Sequence, residues 1–174
     1  MLHIYTVKLV NAEIVERVRL KYSQKSLTFS SVNTLVFFTD KYFSEGTPLK
    51  AMVEFRWHGR GGQGAWTASE LLARTALDEG KYIQSFPEFG PERMGAPVTA
   101  FTRISTKPIR LHCAIYDPDV VIVLDNTLLK TVPVTAGLNC DTDCLIINSS
   151  DEPALIKQTL KVDQGKVWTV PATE

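Results

Sequence analysis

Residues 56–65 read RWHGRGGQGA, and this glycine-rich segment separates two different hydrophobic periodicities. Before it, every second residue at positions 53–57 is apolar, which predicts a strand. After it, apolar residues recur at steps of three and four over positions 65–76, which predicts one buried face of a helix. The chain is therefore expected to run from a strand through a tight turn into a helix.

The turn between these elements contains Gly59, Gly61 and Gly64, which satisfy the pattern G-x-G-x-x-G. In a strand–turn–helix context, this pattern is typical of loops that bind phosphate groups. Glycines let the backbone bring its N–H groups close to a ligand, and the positive end of the helix dipole favours an anion. Arg60 adds a cation with a bidentate fork. The alternative is a tight strand-to-helix turn that binds nothing.

Composition places the chain among ordinary globular proteins. It has 174 residues, of which 44% are hydrophobic and 22% charged. Its 19 basic and 19 acidic residues cancel, which excludes the strongly basic surface of a nucleic-acid-binding protein. No apolar run approaches the roughly 20 residues that span a bilayer, and the first 15 residues lack the features of a signal peptide. We expect a cytoplasmic protein.

The residues that usually carry catalysis or hold metals are not suitably spaced. The chain has three cysteines, Cys113, Cys140 and Cys144, and so small and odd a number favours reduced thiols over disulfides. No Ser/His/Asp or Cys/His arrangement and no metal-ligand spacing is found. We therefore predict no catalytic residue and no metal site, and we expect His58, just before the turn, to be structural.

The later part of the chain predicts a sheet. Buried or edge strands are predicted at residues 82–86, 120–124, 145–147 and 167–170. Two further strand-like runs, residues 98–104 and 109–115, are joined by four residues, which predicts an antiparallel hairpin. Since a purely parallel fold would not contain such a hairpin, we predict a three-layer α/β/α fold of Rossmann type with a mixed, mainly parallel sheet.

Two polar segments at the ends of predicted strands have open roles. Asp125, which follows the strand at residues 120–124, is expected to cap the next turn rather than to act in catalysis. Residues 87–97 contain three prolines, two glycines and the charged residues Glu88, Glu92 and Arg93. This segment is either a shaped functional loop or a surface connection with solvated charges.

Two cofactor classes compete for the glycine turn. A nicotinamide dehydrogenase should place an acidic residue at the end of the second strand, about 20 residues on, to hold a ribose hydroxyl. That strand ends here in QSFP, and Glu88 lies inside the following loop, so the fit is poor. A phosphorylated nucleotide such as coenzyme A fits no worse, because Arg60 and Arg93 suit its phosphates.

Residues 52–174 resemble the gamma subunit of the 2-oxoacid:ferredoxin oxidoreductases of the pyruvate synthase type, which is also one domain of the single-chain enzymes. The shared segments are RWHGRGGQG at 56–64, FPEFGPER at 86–93, GAPV at 95–98, AFTRI at 100–104 and DVVIVLD at 119–125. Residues 1–51 have no counterpart in this resemblance and no chemical constellation of their own, so we predict that they are an extension of unknown role or the result of a misassigned start, with Met52 as the natural one. The resemblance also predicts that the domain at 52–174 is incomplete at its C-terminus.

The resemblance implies a complex that converts a 2-oxoacid, pyruvate in the first instance, and coenzyme A to acyl-CoA and CO2, with ferredoxin as electron acceptor. Thiamine diphosphate would lie on alpha and beta subunits and the iron–sulfur clusters on a ferredoxin-like delta subunit. The gamma subunit would contribute to coenzyme A binding and complex assembly. The residues implied for the coenzyme A site are Gly59, Arg60, Gly61, Gly62, Gln63, Gly64, Thr67, Glu88 and Arg93. A stand-alone oxidoreductase that binds an NAD-type nucleotide and a purely structural assembly subunit remain alternatives.

Overall fold

The computed structural model describes residues 50–88, 95–139, 143–162 and 166–172, which belong to the unit Lys50–Glu174. The extension predicted at residues 1–51 lies almost wholly outside the described residues, as do Arg93 and most of the proline-rich loop. In chain order, the elements are β1 (Met52–Arg60), α1 (Ala65–Asp78), β2 (Tyr82–Pro87), β3 (Pro97–Ser105), β4 (Val120–Val123), a 3-10 helix (Asn126–Lys130), β5 (Cys144–Asn148), α2 (Pro153–Leu160) and β6 (Lys166–Val170).

The six strands form one sheet in the order β2-β3-β1-β4-β5-β6. Strands β1, β4, β5 and β6 are parallel neighbours, whereas β3 runs antiparallel to both β1 and β2. The predicted mixed, mainly parallel sheet is therefore confirmed, and the antiparallel element is β3.

The hairpin predicted from residues 98–104 and 109–115 is wrong. Strand β3 is present, but residues 109–115 form no strand. The physical reason is that β1 occupies one edge of β3 and β2 occupies the other, so no edge is left for a further partner. The segment after β3 is held differently, for example by the Gln84 Nε2 atom, which donates a hydrogen bond to the Leu111 carbonyl at 2.9 Å.

Helix α1 covers one face of the sheet through the side predicted from its periodicity. Its buried residues include Ala65, Ala68, Leu72 and Ala76, and the helix contacts β1, β2 and β3. A polar connection also joins the helix to this face: Trp57 Nε1 donates to Thr102 Oγ1 at 3.0 Å, and that hydroxyl donates to the Ser69 carbonyl at 3.1 Å. The helix ends near Gly80, whose φ of +77° gives the predicted left-handed C-terminal turn.

A second layer covers the opposite face of the parallel half of the sheet. In a strand, successive side chains point to opposite faces of the sheet. The side chains of β4 and β5 that point away from α1 pack with the 3-10 helix and with α2. The buried members of this cluster are Val121, Val123, Leu128, Val134, Leu145, Ile147, Ile156 and Val167. The predicted helix start at Pro153 is confirmed, with the proline in the first turn of α2. Helices on both faces make the fold an α/β/α arrangement. Within the described residues, neither helix is long and apolar enough to cross a bilayer.

Candidate functional site

A crevice forms where the connections from β1 and β4 leave the sheet in opposite directions. These two strands are adjacent and parallel, with Trp57 beside Ile122. From β1 the chain passes through α1 to β2, whereas from β4 it goes to β5 on the other side. In open α/β sheets, ligands bind outside the carboxyl ends of the strands at such a divergence. The glycine turn lies at this position.

Glycine is required in the turn for two distinct reasons. At Gly59, an added Cβ would lie 3.0 Å from Ala65 Cβ, so glycine allows the end of β1 to approach the start of α1. Gly62 and Gly64 instead adopt φ values of +92° and +80°, which favour glycine, and an added Cβ would meet no atom within 4 Å. The Cβ side of Gly62 and of Gly64 therefore faces open space.

The rest of the turn is anchored by its own backbone and by Gln63. Gly61 N donates to the Ala96 carbonyl at 2.9 Å, and Gln63 N donates to the Arg60 carbonyl at 2.9 Å. The Gln63 side chain accepts from Arg60 N at 2.8 Å and donates to Asp125 Oδ2 at 2.8 Å. These bonds hold the turn in one conformation and occupy four of its backbone groups, namely the N–H groups of Arg60, Gly61 and Gln63 and the Arg60 carbonyl.

The Arg60 guanidinium is bound to the chain's own acceptors. Its Nε donates to Asp125 Oδ2 at 3.1 Å, and its terminal nitrogens donate to the Gly95 carbonyl at 3.0 Å and to Thr127 Oγ1 at 2.8 Å. The side chain is 29% exposed. Arg60 was predicted as a contributor to the phosphate site, and in this structure its charge is balanced by the adjacent carboxylate.

Asp125 has the capping role predicted from sequence and a further one. Its carboxylate accepts from Thr127 N at 2.9 Å at the start of the 3-10 helix. The hydrogen bond from the Thr127 hydroxyl, followed by the Gln63 amide and the Arg60 charge, holds the pKa of Asp125 below its usual value. The bonds to Arg60 and Gln63, made across the crevice, have no local signal in the sequence.

The first turn of α1 has backbone donors that no side chain of the described residues caps. Gly64 is the N-cap, and the first intrahelical bond runs from Ala68 N to the Gly64 carbonyl at 2.9 Å. The N–H groups of residues 65–67 precede that bond and are orphan donors of the helix end. Thr67, predicted as an extra donor, is exposed in this first turn.

Glu88, another predicted contributor, follows β2 at the far side of β3 from β1. Glu88 is exposed, and its N–H donates to the Thr99 carbonyl at 2.9 Å beside β3. Burial lowers the pKa of Arg56, and the charge of Glu88 opposes this by raising that pKa. Arg93 lies outside the described residues.

The opposite face of β1 contains a buried polar pair, Arg56 and His58, which are 7% and 5% exposed. Arg56 donates to the carbonyls of Tyr116 at 3.3 Å, Val134 at 3.1 Å and Ala136 at 2.5 Å, and its Nε donates to His58 Nε2 at 3.2 Å. Burial, and then the Arg56 charge, lowers the pKa of His58 to about 4. His58 is therefore neutral near pH 7 and lies in the core.

A polar cavity of about 270 Å³ opens at the carboxyl ends of β4 and β5. Its lining residues are Gln63, Leu124, Asp125, Asn126, Asn148, Ser149, Ser150 and Pro171. Of these, only Gln63 was predicted as a ligand contact. The others could have been found from the two buried strands, because the residues that directly follow parallel strands meet at one edge of the sheet.

Comparison with known proteins gives consistent results. The family described as pyruvate ferredoxin/flavodoxin oxidoreductase matches residues 54–174. The "Pyruvate/ketoisovalerate oxidoreductases common subunit gamma" of Thermococcus kodakarensis is 57% identical over 122 residues, which are 70% of this chain and 65% of that protein. The "Pyruvate synthase subunit PorC" of Methanosarcina barkeri is 50% identical over 123 residues, covering 71% and 65% of the two chains. This chain thus spans 65% of the length of these curated relatives.

Solved structures share the fold. The crystal structure of pyruvate oxidoreductase subunit PORC from Thermotoga maritima has a TM-score of 0.62 and 43% identity, covering 71% of this chain and 64% of that one. A second structure is 2-oxoglutarate:ferredoxin oxidoreductase from Magnetococcus marinus, solved with 2-oxoglutarate, coenzyme A and succinyl-CoA bound. It has a TM-score of 0.50 and 16% identity, covering 69% of this chain and 19% of that one, so the likeness is one of fold alone.

Proposed function

The chain belongs to the pyruvate ferredoxin/flavodoxin oxidoreductase family, and on that premise we propose that it acts as the gamma-type part of a 2-oxoacid:ferredoxin oxidoreductase. In this proposal it contributes to coenzyme A binding and to assembly of a complex that forms acyl-CoA from a 2-oxoacid, with pyruvate as the first candidate. Thiamine diphosphate and iron–sulfur clusters belong to alpha, beta and delta partners, ferredoxin accepts the electrons, and the complex is cytoplasmic.

The observation that carries the proposal is the open space beside Gly62 and Gly64. Both residues lie at the crevice between β1 and β4, and a Cβ at either position would meet nothing within 4 Å. The uncapped first turn of α1 follows directly. Backbone N–H groups and a helix N-terminus suit a phosphate group, and coenzyme A carries a pyrophosphate.

The pairing of charges in the glycine turn limits how the turn could bind coenzyme A. Because Arg60 is paired with Asp125, the attraction for a phosphate would come, among the described residues, from the helix dipole and the amides. The role of the turn is then to bind and orient the coenzyme, while the reacting 2-oxoacid is handled by partner subunits. The bonds from Gln63 to Arg60 and Asp125 keep the turn in its binding conformation.

One observation favours a second candidate, a purely structural assembly subunit. The side chains of Arg60 and Gln63 are satisfied within the chain, as they would be in a turn that only packs. Among the described residues, no corresponding observation favours the stand-alone NAD-type oxidoreductase.

The domain boundary is part of the same proposal. The family match begins at residue 54, which supports a division near residue 52 between an extension and the gamma-type domain. Some curated relatives are named as a gamma subunit common to pyruvate and ketoisovalerate oxidoreductases. Such a name supports the proposal that the gamma subunit does not itself select the 2-oxoacid.

A matched pair of glycine substitutions tests the coenzyme role in the assembled complex. Gly62→Ala and Gly80→Ala both place a side chain at a left-handed residue with open space around it, at φ +92° and +77°. Only Gly62 lies in the turn. We expect Gly62→Ala to raise the KM for coenzyme A about ten-fold, which corresponds to about 1.4 kcal/mol, while Gly80→Ala leaves it unchanged. Equal KM values for both variants and for the wild type, with intact assembly, would favour the structural subunit.

A further inference from the structure

We propose that the edge of the sheet at β2, together with the neighbouring side of α1, pairs with a second copy of this chain around a two-fold axis. Strand β2 stands at the end of the sheet, so one of its two edges has no partner strand within the described residues. Its sequence, YIQSFP, contains no charged residue. Such an edge is a template for pairing with another strand. The proposal goes beyond the coenzyme role and is independent of it.

The hydrogen bonds of β2 define which of its backbone groups point to the open edge. Glu88 N donates to the Thr99 carbonyl at 2.9 Å, in the register that joins β2 to β3. Hydrogen-bonded and non-hydrogen-bonded pairs alternate along an antiparallel ladder. The even-numbered residues of β2 therefore bond to β3, and the N–H and C=O groups of Ile83 and Ser85 point outward.

A two-fold axis beside Gln84 makes this edge complementary to itself. In such an interface, one residue contacts a second residue of the copy, and the reverse contact is also made. Ile83 of each copy then lies opposite Ser85 of the other, and their outward backbone groups exchange hydrogen bonds. The result is a continuous sheet with six strands from each copy.

The side chains of β2 fit this register. Ser85 Oγ lies 3.1 Å from Ser69 Oγ of α1, so Ser85 faces the helix. Since side chains alternate along a strand, Tyr82 and Phe86 share the opposite face. The axis places Tyr82 of one copy opposite Phe86 of the other, and aromatic cross-strand pairs stabilise antiparallel sheets. This contact covers the ring of Tyr82, which is 48% exposed in the single chain.

The same axis brings the two α1 helices to a normal packing distance. Helix α1 packs on β2 and β3, and neighbouring strands lie about 4.8 Å apart. A helix above the midline of β2 and β3 is therefore roughly 5 Å from an axis that lies half a strand spacing beyond β2. The two helix axes are then roughly 10 Å apart, and packed helices are separated by about 8–10 Å.

The side of α1 that faces the copy carries two exposed apolar residues, Trp66 and Leu77, which are 54% and 55% exposed. Their separation is close to three full turns of an α-helix, so they lie on one side of it. This side adjoins Ser69, which contacts β2 at Ser85. Because Ser85 is next to Gln84, the axis passes near the middle of α1 and places Trp66 opposite Leu77 of the copy.

Charged residues on this side are complementary under the same rotation. Glu70 and Arg74 lie between the two apolar residues and form an ion pair within the helix. The axis brings Glu70 of each copy towards Arg74 of the other, so that charges of opposite sign meet. At the ends of the strand ladder, Lys81 comes close to Glu88 of the copy. Exposed charges of this kind fix the orientation of a partner more than they add affinity.

Sedimentation equilibrium of the full chain tests the interface. We expect the mass to rise from 19.4 kDa towards twice that value as the concentration increases. Tyr82→Lys places a charge on the edge and should raise the dimer dissociation constant about ten-fold or more. Tyr116→Lys makes the same change at a tyrosine that is 73% exposed outside β2 and α1, and should leave this constant unchanged. A wild type that stays monomeric, or equal effects of the two variants, would overturn the proposal.

An engineered disulfide tests the position of the axis. Opposed residues of a non-hydrogen-bonded pair have Cα atoms about 4.5 Å apart, which is within the range of a disulfide. Gln84→Cys should therefore give a covalent dimer on exposure to air. The background is Cys113→Ser, because Arg103 contacts both side chains. The control is Gln158→Cys at an exposed position of α2 in the same background, and cross-linking of both variants to the same extent would contradict the two-fold pairing.

Discussion

The Nε atom of Arg60 donates to Asp125 Oδ2 at 3.1 Å, which joins the loop after β1 to the loop after β4 across the crevice. The two residues are 65 positions apart in sequence. Gln63 and Thr127 complete the connection by bonding to the same carboxylate. A polar network thereby joins the two loops at the mouth of the crevice.

A double-mutant cycle measures how strongly this pair stabilises the fold. With side chains 29% and 15% exposed, Arg60 and Asp125 are partly desolvated. We expect a coupling energy of about 1–2 kcal/mol between Arg60→Gln and Asp125→Asn in urea unfolding. The matched control is the pair Glu70–Arg74 on α1, which is 42% and 58% exposed and should couple by about 0.5 kcal/mol or less. Equal coupling in the two cycles would contradict a special role for the crevice pair.

A second prediction concerns Gly137, which lies against the loop that precedes β4. An added Cβ at Gly137 would lie 1.9 Å from the Tyr116 carbonyl oxygen, and that oxygen accepts a bond from Arg56. Gly80 has nearly the same φ, +77° against +75°, but open space around it. Both alanine variants carry the backbone strain of about 1–2 kcal/mol. We expect Gly137→Ala to lower the free energy of unfolding by at least about 2 kcal/mol more than Gly80→Ala does.

Thermal and urea unfolding of the two glycine variants provide the measurement. Because their strain is the same, the difference between them isolates the clash with Tyr116. Gly137→Ala should also disturb the Arg56 contacts, which hydrogen exchange at residues 134–136 can detect. Identical stabilities of the two variants would show that the Tyr116 segment moves aside at no cost.

The local features of this molecule follow from its sequence, and the long-range ones do not. The turn after β1, the start of α1, the glycine at its end and the cap at Asp125 each depend on a few adjacent residues, so their patterns were sufficient. The alternation at residues 109–115 resembles that of a strand, yet it forms none because both edges of β3 are occupied. No local pattern contains information about which edges are free.

The same limit applies to the polar residues of the site. Arg60 was expected to be available to a ligand, because nothing near it in sequence indicates its partner Asp125. Arg56 and His58 alternate with the apolar residues of β1, a pattern that gives no sign of their burial. They are buried because residues 134–136, far along the chain, cover that face and accept the Arg56 hydrogen bonds.

Arg56 leads to a third prediction, because its guanidinium fork satisfies several carbonyl groups at once. We expect Arg56→Lys to lower the free energy of unfolding by about 2–4 kcal/mol. The reason is that a single ammonium group cannot bond to the Tyr116 carbonyl, the Val134 carbonyl and His58 at the same time. The control is Arg110→Lys at an exposed position, which should change stability by about 0.5 kcal/mol or less. Urea unfolding monitored by tryptophan fluorescence checks both variants. Equal and small losses of stability in the two variants would mean that a lysine ammonium satisfies these acceptors as well as the arginine guanidinium does.

His58 predicts a specific dependence of stability on pH. Burial, and then the charge of Arg56, lowers the pKa of His58 from 6.5 to about 4 in the folded protein. The neutral ring also accepts the bond from Arg56 through Nε2, and protonation would remove that acceptor. The stabilisation is therefore complete above about pH 6.5, the pKa of an unfolded histidine, and is lost as the pH falls towards 4. Over that window the loss should amount to about 3 kcal/mol.

The comparison with His58→Gln isolates this effect, because glutamine can accept the Arg56 bond but does not titrate. All carboxylates are common to both proteins, so their titration cancels in the difference between the two unfolding free energies. We expect the wild type to lose stability relative to the variant between pH 6.5 and pH 4, with a slope that approaches about 1.4 kcal/mol per pH unit. Urea unfolding at half-unit pH steps provides the data. A difference that stays constant across this range would mean that His58 in the folded protein titrates as it does in the unfolded chain, and the buried, neutral state described for the ring would then be wrong.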